Sequence, residues 1–454
     1  MKVLKFGGTS VGTVESLAHV KEIVEGIKEP TIVVVSALGG ITDKLILTAK
    51  KASNADLSFR EDLSEIRNRH YGVIEKVVPE DKKASVNQKV DYLFSRLERI
   101  LSGVELIEML PEQILATVVS FGERISSEIV AAMIDEGEKH DSLNFIKTEK
   151  WHGKNIASTS LINQLVKEEF SKGFNKAIIP GFISKDKESG EITNLGRGGS
   201  DYTAALIAAA LNADVLEIWT DVDGFMTADP RIVRDATVIP MLSFSESMEL
   251  CTFGAKVVYP PTIYPVFHKN IPIKILNTFN KTAPGTLITD NTDNQDFPFK
   301  GVTALRATAL FSLKRLSLEN DASFKNRALN ILSKNGIRLF SLVNDESLSS
   351  FSFAVSSADI SETKQLLESE FAPEISNGEI IGPELKDNLS IIAIVGSDMS
   401  LNSRLAARIK NTLNREGIEV EAMSIGNSDT TMTFMVDSNL TEKVLILCHN
   451  LLFN

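Results

Sequence analysis

The first half of the chain alternates short runs of β-forming residues with helical patterns, and this alternation constrains the fold most. The runs VLKF and TIVVV are each followed by a helical pattern, from about Glu15 and from about Asp43, and AIIPGF and DVLEIWT flank a helix near Asp201. Strands that are apolar on both faces have to be covered by helices on both sides, as in a parallel sheet. The sequence therefore predicts an α/β fold with a mostly parallel sheet between helices.

Two stretches mark the organisation of the 454 residues. Asp56 to Leu110 is more polar and helical in period, which predicts a helical insertion or lid. Asn280 to Phe299 gathers Asn, Asp, Thr, Pro and Gly, which favours a domain boundary. We therefore divide the chain into a first domain at 1–298 and two smaller modules at 299–386 and 387–454.

The part after this boundary repeats itself. Gly417 lies 81 residues after Gly336. The same offset relates Ile337 to Ile418, Leu332 to Leu413, Phe353 to Phe434 and Val355 to Val436. Each copy reads strand, helix, strand, turn, strand, helix, which is the order of a ferredoxin-like α+β module. Two such modules predict a pseudo-symmetric pair, and a duplicated packing domain without a ligand is the alternative.

Composition excludes several classes of protein. The chain has 48 Lys and Arg against 60 Asp and Glu, a formal net charge of −12, so nucleic acid and membrane surfaces are poor partners. It has two cysteines and six histidines without the spacing of zinc ligands, so neither a disulfide framework nor a resident metal is expected. No run approaches the roughly 18 apolar residues of a membrane helix. We expect a soluble cytoplasmic protein.

Three loops carry residues suited to anions. KFGGTS (5–10) follows a strand, and its glycines allow close backbone approach to a phosphate beside a lysine. GRGGSD (196–201) opens a helix, where an arginine can hold a planar carboxylate. TDVDG (220–224), with DPR (229–231), stands at the carboxyl end of a strand, where open α/β sheets bind ligands. The alternatives are ordinary turns for the first and third loops and a helix cap by Asp201 for the second.

Three weaker segments add to these loops: SALGGITD (36–43), SFGE (120–123) and FGAK (253–256). A glycine inside a helix costs about 1 kcal/mol relative to alanine, so Gly122 predicts that Glu123 is held at a helix break. Taken alone, a charged residue in any one of these segments is best interpreted as a solvated surface group. Together, two lysines and two arginines on four loops match phosphoryl transfer, which needs charge neutralisation and positioning.

The chain resembles the aspartate kinases of the amino-acid kinase superfamily. The resemblance lies in the order of its motifs before a doubled module: KFGGTSV, SFGE, NLGRGGSDYTA, WTDVDG with TADPR, and FGAKVVYP. The resemblance covers nearly the whole chain. It implies an amino-acid-kinase-type three-layer sandwich with two ACT modules, and transfer of the γ-phosphoryl of ATP, with Mg²⁺, to the β-carboxylate of L-aspartate. The product, 4-phospho-L-aspartate, leads to lysine, threonine and methionine. A kinase for another acidic amino acid or carbamate, and a catalytically silent amino-acid sensor, remain alternatives.

The resemblance also implies roles for residues at matching motif positions. Contacts to ATP are implied for Lys5, Gly7, Gly8, Thr220, Asp221, Met226, Arg231 and Lys256. Contacts to aspartate are implied for Thr42, Glu123, Arg197 and Ser200. The catalytic set is Lys5, Asp201, Lys256 and Arg197, with Asp201 organising the lysines. Met226 stands where the family often has tyrosine, and it can still pack against a base.

Regulation and assembly follow from the doubled module. The resemblance implies an amino-acid effector near Asn344, Asp345 and Glu346, with lysine, threonine, methionine or none as the candidates. Pairing of module sheets predicts a homodimer or a dimer of dimers. In the family, one of the two modules is formed by chain segments that lie before and after the other module. The C-terminal segment of this chain could therefore complete the first module. No homoserine dehydrogenase is expected to follow, because the chain ends soon after the second repeat.

Overall fold

The computed structural model describes residues 1–151, 153–290, 298–316, 322–345, 350–397, 399, 403–424 and 429–453. The chain forms two compact units. The first comprises Met1–Phe225, Pro240–Phe244 and Val257–Asn291. The second comprises Met226–Ile239, Ser245–Lys256 and Thr292–Asn454.

The strands are β1 (Lys2–Phe6), β2 (Thr31–Val35), β3 (Gly137–Lys139), β4 (Lys147–Trp151), β5 (Lys154–Ala157), β6 (Lys176–Pro180), β7 (Ile183–Asp186), β8 (Ile192–Asn194), β9 (Val215–Thr220), β10 (Met241–Leu242), β11 (Ile273–Asn277), β12 (Thr286–Ile288), β13 (Phe299–Arg315), β14 (Ser341–Asp345), β15 (Ser350–Ser356), β16 (Ile380–Gly396), β17 (Ala422–Ser424) and β18 (Thr431–Asp437). The helices are α1 (Val14–Glu25), α2 (Ile41–Ser53), α3 (Phe59–Val77), α4 (Glu80–Ile107), α5 (Glu112–Met133), α6 (Thr159–Glu169), α7 (Gly199–Leu211), α8 (Phe244–Thr252), α9 (Ile263–Phe267), α10 (Ala322–Lys334), α11 (Ile360–Glu370), α12 (Ala372–Ser376), α13 (Ser403–Arg415) and α14 (Thr441–Phe453).

The first unit is built on an eight-stranded sheet in the order β10-β12-β11-β9-β1-β2-β6-β3. All neighbours in it are parallel except β11 and β12. Every residue of β2 and of β6 is buried, and apart from Thr31 and Lys176 at their first positions all of them are apolar. Leu4, Phe6 and Val35 pack under the helices α1 to α5, while α7 lies against β1, β2 and β9. The predicted α/β sandwich with a mostly parallel sheet is confirmed.

The predicted insertion between Asp56 and Leu110 is helical, consisting of α3 and α4. Both pack against α2, and α4 also packs against α5; Phe59 of α3 and Phe94 of α4 are fully buried in the core of the unit. A smaller four-stranded sheet, β5-β4-β7-β8, completes the unit. A role of α3 and α4 as a lid stays a prediction.

The second unit is built on a six-stranded sheet, β14-β15-β13-β16-β18-β17, with two long central strands. The second half of β13, with α10, β14, β15, α11 and the start of β16, makes one ferredoxin-like module. The end of β16, with α13, β17 and β18, and α14 makes the other, and the first half of β13 is its fourth strand. Residues related by the 81-residue offset are buried in equivalent elements, Phe353 in β15 and Phe434 in β18. The two predicted α+β modules are confirmed.

The pairing in this sheet differs from a linear arrangement of modules. Residues 299–305, which precede the first module, pair with β16 and complete the second module. The C-terminal segment belongs to the second module rather than completing the first. Register shifts at Leu305 to Thr308 and positive φ angles at Ala307 (57°) and Asn388 (54°) mark where the two long strands change modules. The division at 298/299 and 386/387 stays a prediction.

No helix among the described residues is both long enough and apolar enough to cross a bilayer.

Candidate functional site

Lys5 and Asp201 form a largely buried ion pair beside the carboxyl end of the parallel sheet. Lys5 is the fourth residue of β1, whose neighbours are β2 and β9. Its Nζ lies 2.5 Å from Asp201 Oδ1, and the two side chains are 12% and 11% exposed. The N-cap of α7 is Gly198, and Asp201 stands in the first turn of that helix without capping it. The alternative of a simple helix cap is therefore wrong, and Asp201 fixes the position of the lysine ammonium.

The loop after β1 packs backbone to backbone against the loop after β2. A Cβ on Gly8 would lie 3.3 Å from Ala37 O, and one on Gly39 would lie 3.0 Å from Gly8 O. A Cβ on Gly7 would lie 3.5 Å from Lys5 Nζ. Residues 8–10 do form a turn, in which Val11 N donates to Gly7 O at 3.1 Å. Neither Gly7 nor Gly8 has a positive φ, so the close approach of the two loops, rather than a left-handed backbone, accounts for glycine at position 8. These glycines keep the space next to the lysine free of side chains, which suits a phosphate held by backbone N–H groups.

Glu123 is a buried carboxyl group aimed at the loop after β2. It is 3% exposed, and Ala37 N donates a hydrogen bond to Oε1 at 3.2 Å. Its Oε2 is buried without a hydrogen-bond partner among the described residues. Burial raises the pKa of Glu123 to about 8, against the hydrogen bond from Ala37, which lowers it. A carboxyl group with a free buried oxygen is well suited to receive a cationic donor.

The helix is not broken at Gly122, so the prediction of a break there is wrong. α5 runs without interruption from Glu112 to Met133. A Cβ on Gly122 would lie 2.7 Å from Ala37 Cβ and 3.6 Å from a methyl group of Ile41. The glycine therefore lets α5 approach the loop that Glu123 contacts.

Ser200 joins the loop after β2 to the start of α7. Its Oγ accepts a hydrogen bond from Ser36 Oγ at 3.0 Å. A Cβ on Gly181 would lie 2.7 Å from Ser200 Cβ, so the chain after β6 also comes close to this serine. Thr42, partly buried, is the second residue of α2, in the element that follows Ser36. Gly181 could not be identified from the sequence, because its only signal is a Pro-Gly pair at the end of a strand.

Arg197 lies exposed on the loop before α7, and it has no ion-pair partner in the described part of the chain. The glycines on either side have left-handed φ angles, 72° at Gly196 and 68° at Gly198. A side chain at Gly198 would also overlap Tyr259, whose Cβ lies 2.3 Å from the ideal Cβ position. The backbone therefore requires glycine on both sides of an arginine that is available to a ligand.

A network of hydroxyl and amide groups lies beyond β1, β9 and β11. Ser10 Oγ lies 2.7 Å from Thr278 Oγ1, and the Thr220 hydroxyl donates to Asp221 Oδ1 at 3.2 Å. Asp223 accepts a hydrogen bond from Asn277 Nδ2 at 2.7 Å. Thr220 and Asp221 are predicted from the sequence, whereas Thr278 and Asn277 lie more than 50 residues later in the chain and carry no local signal.

Three residues predicted for the ATP site belong to the second unit. Met226 forms an isolated antiparallel bridge with Val238. The Arg231 guanidinium makes a double contact with Asp229, Nη2 to Oδ2 at 2.7 Å and Nε to Oδ1 at 2.9 Å. This hydrogen bonding lowers the pKa of Asp229. Lys256 follows α8 and is exposed.

Of the predicted effector residues, Asn344 and Asp345 lie on β14 opposite Phe351 and Ser350 of β15. Glu346 lies outside the described residues. Across the described ranges, no three His, Cys, Asp or Glu side chains are grouped so that they could hold a metal ion.

Comparison with known proteins identifies relatives of the chain. The profile of the amino acid kinase family matches residues 1–277, and that of the ACT domain matches residues 392–452. The bifunctional aspartokinase/homoserine dehydrogenase of Haemophilus influenzae is 32% identical over 465 residues, which cover all of this chain and 57% of that protein. The lysine-sensitive aspartokinase 3 of Escherichia coli is 28% identical, with 99% of each chain covered. The chain thus spans little more than half the length of its bifunctional relative.

A solved structure is similar over the full length. The crystal structure of E. coli aspartokinase III in complex with aspartate and ADP superimposes with a TM-score of 0.84, at 27% identity and with all of both chains covered. The fold class predicted from the motifs, an amino-acid-kinase-type sandwich with two ACT-like modules, is confirmed.

Proposed function

The chain belongs to the amino acid kinase family, and on this premise we propose that it is an aspartate kinase. It transfers the γ-phosphoryl group of ATP to the β-carboxylate of L-aspartate and releases 4-phospho-L-aspartate and ADP. The observation that carries the proposal is the Lys5–Asp201 ion pair, 2.5 Å long, beside the glycine loops of β1 and β2. The similarity to a structure solved with aspartate and ADP supports the choice of substrates.

The proposed reaction needs no general base on the protein. A β-carboxylate has an ordinary pKa near 4, so it is already ionised at pH 7 and attacks the γ-phosphorus directly. The protein has to offset the charge of the phosphates and hold the reactants in line. Lys5 supplies a cation whose position Asp201 fixes, and Lys256 is proposed as the second lysine. Mg²⁺ enters as part of the substrate, bound to the phosphates of ATP.

Recognition of aspartate is proposed for the groups around α5 and α7. The partnerless Glu123 Oε2 accepts from the α-ammonium group, which compensates the desolvation that now raises the pKa of Glu123. Arg197 holds the α-carboxylate with its planar fork. Ser200 and Thr42 contribute hydroxyl groups, and the β-carboxylate is left facing the γ-phosphate.

Regulation by an amino acid is the proposed role of the two modules. A relative that matches over 99% of both chains is named lysine-sensitive. We propose an effector site near Asn344, Asp345 and Glu346, with lysine, threonine and methionine as candidates. A homodimer or a dimer of dimers is the proposed assembly.

The test is a coupled assay of ADP formation with Mg·ATP and a panel of acceptors: L-aspartate, L-glutamate and N-acetylglutamate. We expect turnover with aspartate that exceeds turnover with the other two at least tenfold. Preference for another acceptor would reassign the substrate within the family. Nucleotide binding without turnover on any acceptor would favour the silent sensor.

A further inference from the structure

The turn that follows β1 has the features of an anion-binding loop. It spans residues 7–11, and we call it the glycine turn. The N–H groups of residues 8–10 donate to no acceptor in the described part of the chain. A Cβ on Gly7 would lie 3.5 Å from Lys5 Nζ, so the turn stands next to a cation at the carboxyl end of a parallel strand. Successive free N–H groups beside a lysine suit a phosphate group.

Ser10 attaches the glycine turn to the neighbouring strand. Its side chain is fully buried, and its Oγ donates to Trp219 O at 3.3 Å. Gly7 N donates to the same carbonyl oxygen, also at 3.3 Å. Trp219 is the fifth residue of β9. One carbonyl group of this strand therefore holds the glycine turn at two points.

Thr278, which follows β11, holds Ser10 in turn. It is fully buried, and its Oγ1 lies 2.7 Å from Ser10 Oγ. Thr278 N donates to Thr220 O at 2.9 Å, which fixes this threonine at the end of β9. A hydroxyl group has one hydrogen, and Ser10 gives its own to Trp219 O, so Thr278 is the donor within the hydroxyl pair. All of these residues belong to the first unit.

Packing alone does not require two hydroxyl groups at these positions. An alanine and a valine would have nearly the same volumes, and replacing both partners of a buried hydrogen bond by apolar groups of the same shape is nearly neutral for stability. The hydroxyl pair instead adds side-chain restraints on the glycine turn. Without it, backbone hydrogen bonds alone hold the turn.

We propose that Ser10 and Thr278 are positioning residues for the phosphates of the nucleotide, because their hydroxyl pair keeps the N–H groups of residues 8–10 in place. The inference rests on the proposed function, in which the phosphates of ATP lie beside Lys5. A turn that is fixed before binding loses little conformational freedom when phosphate binds. The groups proposed for aspartate lie on α5 and α7, to which neither hydroxyl group of the pair is bonded. The effect therefore falls on the nucleotide.

The experiment compares four variants with the wild-type chain. Ser10→Ala and Thr278→Val remove the hydroxyl pair with little change in volume, whereas Thr278→Ser keeps the hydroxyl group. Thr148→Val is the matched control, because it removes a buried hydroxyl pair of the small sheet, in which Thr148 Oγ1 lies 2.6 Å from Thr193 Oγ1. Calorimetric titration with Mg·ADP measures nucleotide affinity, the coupled assay gives both KM values, and urea unfolding measures stability.

For Ser10→Ala and Thr278→Val we expect Kd for Mg·ADP and KM for ATP to rise about 3- to 10-fold, the range for one buried hydrogen bond. Thr278→Ser stays within about twofold of the wild type, and KM for aspartate changes less than about twofold in every variant. Thr148→Val lowers the urea midpoint about as much as Thr278→Val does but leaves Kd for Mg·ADP within about twofold. The double variant Ser10→Ala with Thr278→Val binds Mg·ADP no more weakly than Ser10→Ala, because both changes remove the same pair.

An unchanged Kd in Thr278→Val, an equal rise of Kd in Thr148→Val, or an equal rise in KM for aspartate would overturn the inference. If Ser10→Ala does not fold, the contrast between valine and serine at position 278 decides. A wild-type chain that binds Mg·ADP but phosphorylates no acceptor would refute the proposed function, and the Kd comparison would still decide the role of the hydroxyl pair.

Discussion

At the scale of single residues, the position of Lys5 distinguishes it from Lys2 on the same strand. Lys2 lies at the opposite end of β1, where its Nζ contacts Glu217 Oε1 at 3.3 Å, whereas Lys5 pairs with Asp201. Lys5→Ala removes a fixed cation from the proposed phosphate position. We expect kcat to fall at least about 100-fold, equivalent to about 2.7 kcal/mol. Lys2→Ala is the control and should change kcat less than about twofold. Near-normal turnover of Lys5→Ala in the coupled assay would remove Lys5 from the mechanism.

Arg197 tests recognition of the substrate. Lysine at this position keeps the charge but loses the two parallel N–H donors that match a carboxylate. Arg197→Lys is therefore expected to raise KM for aspartate about 10-fold and to leave KM for ATP within about twofold. Initial rates over a grid of both substrates measure the two constants. Equal changes in both would contradict a role at the α-carboxylate.

Glu123 predicts a pH dependence of stability with a definite sign. Because burial raises its pKa to about 8 from an ordinary 4.5, the folded state favours the protonated form. The stability that this group contributes is complete below about pH 4.5 and is lost as the pH rises through about 8. Glu123→Gln has no such loss, so its unfolding free energy relative to the wild type should increase by about 1 kcal/mol or more between pH 5 and 9. Urea unfolding at several pH values measures the difference, and a pH-independent difference would refute the raised pKa.

At the scale of elements, Gly122 marks where α5 meets the loop after β2. Alanine is the better helix former, yet its Cβ would lie 2.7 Å from Ala37 Cβ. Gly122→Ala is therefore expected to destabilise the chain by about 1–3 kcal/mol, as overpacked cores do. Gly72→Ala and Gly103→Ala, in α3 and α4, are the controls, since a Cβ at either meets nothing within 4 Å. They should stabilise the chain by about 0.5–1 kcal/mol.

The denaturant midpoints of the wild-type chain and the three glycine variants check this prediction. The double variant Gly122→Ala/Ala37→Gly removes the overlap and should recover the lost stability. If Gly122→Ala were as stable as the two controls, close approach would not be the reason for the glycine. The sequence indicates that Gly122 is unusual in a helix, but it does not give the reason. The neighbour that requires glycine, Ala37, lies 85 residues earlier in the chain, and no local pattern records that contact.

The same distinction holds for the strands and loops. β1, β2, β6 and β9 could be predicted because buried parallel strands are apolar on both faces, which is a local signal. The site residues could be predicted where a glycine motif stands at the end of such a strand, as at Lys5 and Ser200. Thr278 could not, because only the order of strands brings the end of β11 to the end of β9.

At the scale of the whole molecule, the chain crosses between its two units several times. Residues 226–239 and 245–256 belong to the second unit, although they lie inside the stretch that resembles a kinase domain. The composition shift near residue 290 does not predict that these two segments belong to the second unit, because both are ordinary in composition. Only packing assigns them, as Val233 shows by lying in the core of the second module. The doubled module can be predicted from the sequence, because identical residue types recur at equivalent buried positions, such as Phe353 and Phe434.

Inhibition by an amino acid at the two modules depends on the equilibrium between two states of the whole molecule. An effector shifts a two-state equilibrium only by its difference in affinity for the two states, so removing an effector contact abolishes inhibition without requiring a change in the uninhibited rate. We expect one of lysine, threonine and methionine to inhibit the wild-type chain, and Asp345→Ala to raise the concentration for half-inhibition at least about 10-fold. Glu368→Ala, an exposed carboxylate on α11 of the same module, is the control and should be inhibited like the wild type. The assay is run with each amino acid at saturating aspartate and ATP. If none of the three inhibits the enzyme or binds in a calorimetric titration, the two modules bind no effector and act only in assembly. They would then be a duplicated packing domain without a ligand.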